Sequence, residues 1–172
     1  ANEGYLRNPL PLPSPGVGGT CLQKDPFILY DAAKKCGVDL SIVREARKSN
    51  EDMIRFMGEK IENFVSEKNL TSNIKFFILG VAFKGNPETS DIRASTSIDI
   101  IRYLESRGFK NIVVYDPVVS KKTLADSKLR YVEIPEEGFK ESSIVLTMNN
   151  NPSYQNLNLF KLVSIMKKPG MF

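Results

Sequence analysis

The residues best equipped for chemistry lie in one stretch, Pro13-Ser14-Pro15-Gly16-Val17-Gly18-Gly19-Thr20-Cys21-Leu22-Gln23-Lys24-Asp25. Three glycines crowd the approach to a cysteine, and a cation and a carboxylate follow it. Glycine lets a backbone adopt positive φ and come close to a ligand. A thiol just ahead of a helix N-terminus and near a lysine sits in a field that favours thiolate. The stretch therefore combines a ligand-hugging loop with a candidate nucleophile. A plainer reading stands beside it. Glycine loops are common turns, a single cysteine is often a small buried apolar residue, and Asp25-Pro26 fits an N-cap followed by the first helical residue.

A second cluster follows the apolar run Lys75-Phe76-Phe77-Ile78-Leu79. Lys84 and Arg93 flank the loop that begins at Gly80. Lysine would meet a phosphate as a point charge and arginine as a fork; otherwise both are solvated surface charges. Gly80 and Gly85 have Walker A spacing, but Asn86-Pro87 stands where Lys-Ser/Thr is required. Neither this loop nor Gly16-Val17-Gly18-Gly19 reads G-x-G-x-x-G, so a dinucleotide fingerprint is absent from the sequence. No C-x-x-C motif supports a thiol-redox domain.

Hydrophobic periodicity supplies the elements that must position these residues. Helical spacing runs from Pro26 to about Cys36, with Gly37 as its stop. Apolar residues from Ile42 to Val65 step by three and four, predicting a helix over 40–67. It would be about 40 Å long, enough to line a subunit interface or bridge two domains. Beyond it, strands are expected at 75–79, 112–115, 131–134 and 143–148. Helices are expected from Ser95 to Gly108, at 121–126, as a turn at 136–141, and over 156–165. This alternation predicts a doubly wound α/β domain with a parallel sheet. Its ligand edge would be built from the loops at Gly80, Asp116 and Asn149.

The chain has 172 residues, a net charge of +4, two cysteines and no histidine. The charge is mild and dispersed, which argues against nucleic acid as a partner. No apolar run is long enough for a membrane helix. Two cysteines without histidine make neither a disulfide framework nor a zinc site, so no metal is expected. Acid–base work falls to Asp, Glu, Lys, Tyr or Cys. The start of the sequence lacks a signal-peptide pattern and a methionine, and the chain reads as part of a longer polypeptide.

Three segments in order resemble the NAD-dependent nucleotide-sugar 6-dehydrogenases, whose members act on UDP-glucose or UDP-N-acetylmannosamine. They are Gly16 to Asp25, Leu79-Gly80-Val81-Ala82-Phe83-Lys84 with Asp91-Ile92-Arg93-Ala94-Ser95, and Val114-Tyr115-Asp116-Pro117. The resemblance implies an active-site loop and central dimerisation region over 1–70 and a UDP-sugar-binding α/β domain over 71–172. It places the NAD-binding domain outside this chain. It implies oxidation of a sugar C6 alcohol to a carboxylate through a thiohemiacetal and a thioester on Cys21, with NAD as cofactor and Asp25 positioning water. Arg7, Pro15, Gly16, Val17, Gly18, Gly19, Phe83 and Lys84 match substrate contacts, and Lys24 and Arg93 match cofactor contacts. The 40–67 helix matches a homodimer interface, and Cys36 is left as a buried structural thiol. Val17, where UDP-glucose enzymes tend to carry an aromatic, favours a UDP-2-acetamido sugar. UDP-glucose and a non-catalytic UDP-binding or dimerisation module are the alternatives. A cytoplasmic enzyme is expected.

Overall fold

The structure is a computed structural model that describes residues 15–172. Arg7, together with Pro13 and Ser14, lies outside the described residues. Two helices come first, α1 (Thr20–Lys35) and α2 (Ser41–Glu67). The α/β part follows as β1 (Phe76–Leu79), α3 (Thr96–Ser106), β2 (Ile112–Tyr115), α4 (Lys121–Asp126), α5 (Pro135–Phe139), β3 (Ile144–Thr147) and α6 (Leu159–Ser164). No helix among the described residues is long and apolar enough to cross a membrane.

The sheet is parallel, in the order β2-β1-β3. Its strands are almost wholly apolar because both faces are covered. Phe76, Ile78, Ile112, Val114 and Ile144 point into one core, which is closed by α2 and α3. Phe77, Leu79, Val113 and Val145 point into the other, closed by α5 and α6. This period-two division is the pleat expressed as packing. The chain crosses over β1 on its way from β2 to β3. The loops after β1 and β3 therefore diverge to opposite faces, the arrangement that opens a crevice at strand ends.

α2 fixes the helical segment to this body. Ile61 is buried in the first core. Gly58 faces the Tyr103 ring so closely that a Cβ there would lie 2.1 Å from a ring carbon. Tyr103 Oη donates to Glu62 Oε1 at 3.1 Å, and Arg107 Nε pairs with Glu62 at 2.9 Å.

Four local expectations are corrected. α1 begins at Thr20 rather than Pro26, so Asp25 is not its N-cap; Gly19 is, and Pro26 lies inside the helix. The segment 131–134 is only a bridge between Tyr131 and Val114, because Pro135 starts α5 at once. The helix expected over 156–165 starts later: Asn156 ends a 3-10 turn, Pro152–Asn156, and α6 begins at Leu159. Extended Leu157 separates them, and the Asn158 side chain accepts from Lys161 N to restart the helix. Cys36, expected to be buried, is exposed at the C-cap of α1. α1 has no buried residue and cannot shelter it.

Candidate active site around the glycine loop

The glycine loop is held on two sides. Val17 N donates to Asn50 Oδ1 at 2.7 Å, and Asn50 Nδ2 donates back to Val17 O at 3.1 Å. Two residues on, Gly19 N donates to Ala94 O at 3.0 Å. Ala94 adopts φ +54, which turns its carbonyl toward the loop. A Cβ on Gly18 would stand 2.5 Å from that oxygen, so only glycine fits between α2 and the segment leading into α3. Gly19 has φ +102, and a Cβ there would meet the Phe83 ring at 3.1 Å. Phe83 is thus the floor under the loop.

Gly19 caps α1, which places Cys21 in the first turn of a 16-residue helix. The thiol is exposed at the positive end of the helix dipole. The plainer reading of a small buried cysteine does not hold. Lys24 is raised above the ordinary lysine value, chiefly by its hydrogen bond with Asp25 and then by the Asp25 charge, with Cys21 contributing. Arg93 is raised chiefly by its hydrogen bond with Asp91, and charge on Cys21 again contributes. Lys24 and Asp25 form an exposed ion pair with each other.

Arg93 is posed by its own loop. Asp91 Oδ1 accepts from Arg93 N at 2.9 Å and Nε at 3.0 Å, and Oδ2 accepts from Nη2 at 2.7 Å. This fork holds the Asp91 carboxyl below the usual carboxylate value. The Arg93 side chain is still 74% exposed, so its outer face is open to a ligand. Lys84 Nζ lies 5.4 Å from the centre of the Phe83 ring. Pro15 and Gly16 continue the loop, and Gly16 (φ +105) packs toward Thr96 and Asn50.

The β1 loop is set by Asp116, which the sequence places in a ligand-edge loop. Asp116 is buried at the end of β2. Its Oδ2 accepts from Val81 N at 2.8 Å and Ala82 N at 3.0 Å, and its Oδ1 accepts from Val118 N and Val119 N at 2.9 and 3.1 Å. The crevice between β1 and β3 is filled. A Cβ on Gly80 would be 2.5 Å from Asn149 Oδ1, and one on Gly85 would be 2.2 Å from Asn151 N. A dinucleotide pyrophosphate needs a glycine turn opening onto a helix N-terminus. These residues do not fit one in the sheet. Toward NAD the described residues offer the exposed cations Lys24 and Arg93.

The UDP-binding domain of the UDP-glucose/GDP-mannose dehydrogenase family matches residues 77–172. The central domain of the same family matches residues 6–52. The chain belongs to this family. UDP-glucose 6-dehydrogenase of Rickettsia bellii is 29% identical over 158 residues, covering 90% of this chain and 35% of that protein. UDP-N-acetyl-D-mannosamine dehydrogenase of Pyrococcus horikoshii is 29% identical over 147 residues, covering 85% and 32%. The solved structure of UDP-D-ManNAc dehydrogenase from Pyrococcus horikoshii superimposes with a TM-score of 0.74 at 26% identity, over 96% of this chain and 36% of that one. A UDP-glucose dehydrogenase from Pyrobaculum islandicum gives 0.70 at 27% identity, over 84% and 33%. The chain spans about a third of the length of the curated relatives it matches.

In this member of the dehydrogenase family the structure gathers Cys21, Lys24, Arg93, Phe83, Lys84 and the glycine loop around one surface. Sequence reasoning missed Asn50, and it placed Asn149 in a ligand-edge loop and Ala94 in a matched segment without the contacts by which they hold that surface together. Asn50 left one weak signal, a poor helix former inside a long helix.

Proposed function

We propose that this chain is the central and UDP-binding part of an NAD-dependent UDP-sugar 6-dehydrogenase that oxidises a sugar C6 alcohol to a carboxylate. The observation that carries the proposal is the exposed Cys21 thiol in the first turn of α1, next to a glycine loop seated over Phe83. Residues 1–70 supply this loop and the helical segment, and residues 71–172 bind the UDP moiety. The glycine loop, Pro15, Phe83 and Lys84 grip the nucleotide sugar, with Arg7 reaching a neighbouring subunit's substrate.

NAD, held by a domain outside this chain, supplies the hydride acceptor for both oxidations. Cys21 thiolate adds to the C6 aldehyde carbon to give a thiohemiacetal, whose oxidation leaves a thioester. Thiolate suits both roles, being nucleophilic near neutral pH and a good leaving group when water attacks. Asp25, one turn along α1 and paired with Lys24, orients that water. Arg93 and Lys24 present positive charge toward the cofactor.

Small Val17 at the loop crest favours a UDP-2-acetamido sugar over UDP-glucose. The exposed apolar side chains Leu22, Ile28, Leu29, Ile42 and Phe56 on α1 and α2 support a homodimer through this segment. A cytoplasmic setting keeps Cys21 reduced. The test is NADH formation by the complete polypeptide with UDP-N-acetylmannosamine and with UDP-glucose. Cys21→Ser should abolish acid formation; unchanged acid formation in that variant would remove the enzyme reading. Binding of UDP without turnover of any sugar would favour a non-catalytic module.

A further inference from the structure

We propose that Asn50 is a positioning residue for the reactive cysteine. Its carboxamide acts as a one-residue strand that sets the height of the glycine loop, and through Gly19 the start of α1 and the place of Cys21. The inference rests on the dehydrogenase reading for its kinetic consequence, but not for its structural one.

Asn50 bonds both backbone groups of Val17, N–H to Oδ1 at 2.7 Å and C=O to Nδ2 at 3.1 Å. The partners dictate the orientation of the amide: an N–H must face the oxygen and a carbonyl must face the NH2. Among the described side chains on α2, Asn50 forms the hydrogen-bonded link to the loop. α2 is itself anchored to α3 by Ile61, Gly58 against Tyr103, and Glu62 with Tyr103 and Arg107. The loop is thereby referenced to a 27-residue helix packed on the sheet body. Its second anchor, Gly19 to Ala94, references it to the β1–α3 segment that carries Phe83 and Arg93. Between the two anchors stands Gly18, where a Cβ would lie 2.5 Å from Ala94 O. Losing the Asn50 anchor frees the loop on the α2 side. Cys21, four residues beyond Val17, then samples positions off the line of attack.

The test compares Asn50→Leu, which removes both bonds at similar size, with Asn50→Asp, which keeps the acceptor for Val17 N–H and loses the donor to its carbonyl. Tyr103→Phe is the control, since it weakens the α2–α3 contact without touching the loop. The complete polypeptide is used for three readouts: hydrogen exchange of the peptide spanning 15–21, the rate of Cys21 alkylation by iodoacetamide, and kcat. Asn50→Leu should raise loop exchange at least about tenfold and change the alkylation rate. It should lower kcat about tenfold to a hundredfold, the scale of a misplacement near 1 Å. Asn50→Asp should fall between it and the wild type. Tyr103→Phe should lower the melting temperature with kcat and loop exchange preserved. Wild-type exchange and alkylation in Asn50→Leu would overturn the proposal, as would equal loss of kcat in Asn50→Leu and Tyr103→Phe at equal destabilisation. If the wild type oxidises no UDP-sugar, the enzyme reading fails, while exchange and alkylation still decide whether Asn50 holds the loop.

Discussion

Replacing Gly18 by alanine should cost more activity than a single methyl group suggests. The new Cβ would start 2.5 Å from Ala94 O and 3.3 Å from Phe83 Cβ. A carbon approaches a carbonyl oxygen no closer than about 3.3 Å, so the loop must retreat by roughly 0.8 Å. The Gly19 N–H···O bond to the same oxygen, now 3.0 Å, would then stretch to about 3.8 Å, beyond a useful hydrogen bond. Overpacking of this kind costs about 1–3 kcal/mol and the lost bond about 1 kcal/mol more. A domain stable by about 5–15 kcal/mol survives that loss. Cys21 moves with the loop, and kcat should fall on the order of a hundredfold. The control is Gly37→Ala at the far end of α1. Gly37 has φ +74 but open space around it, so its alanine variant should pay roughly 1–2 kcal/mol of backbone strain and retain kcat. The assay pairs thermal unfolding with NADH formation by the complete polypeptide. A Gly18→Ala variant with wild-type melting and turnover would refute the steric argument.

Asp116→Asn should destabilise the domain by about 2–4 kcal/mol, because an amide NH2 must replace an oxygen that faces two backbone N–H groups; denaturant unfolding measures it, and a change under about 0.5 kcal/mol would count against a structural role for this carboxylate. Asp91 gives a pH prediction. Arg93 lowers its folded value, so the folded chain holds fewer protons at this group than the unfolded chain. Its stabilisation is therefore complete above about pH 4 and disappears as pH falls through the folded value. The melting difference between wild type and Asp91→Asn should shrink on acidification, and a difference independent of pH would contradict the fork as its source.

The three strands were legible because a parallel strand covered on both faces must be apolar throughout, and Phe76–Leu79, Ile112–Tyr115 and Ile144–Thr147 are nearly so. α2 was legible over almost its whole length, because its apolar positions keep one helical stripe. The start of α1 was not. Asp25-Pro26 has the local signature of a helix start, and the loop's attachment to Ala94 overrides it by letting Gly19 cap the helix six residues earlier.

At the site the sequence determined the chemical types: a thiol, two cations and glycines without side chains. It did not determine what makes them one surface. Val17 meets Asn50 across 33 positions, and Asp116 reaches back 35 to Val81. Residue type and local spacing report what a side chain can do and which local conformation it favours. Contacts across such separations exist only after α2 has docked on α3 and the strands have paired. Tertiary packing therefore decided where Cys21 stands, which glycines are indispensable, and that Cys36 is left exposed.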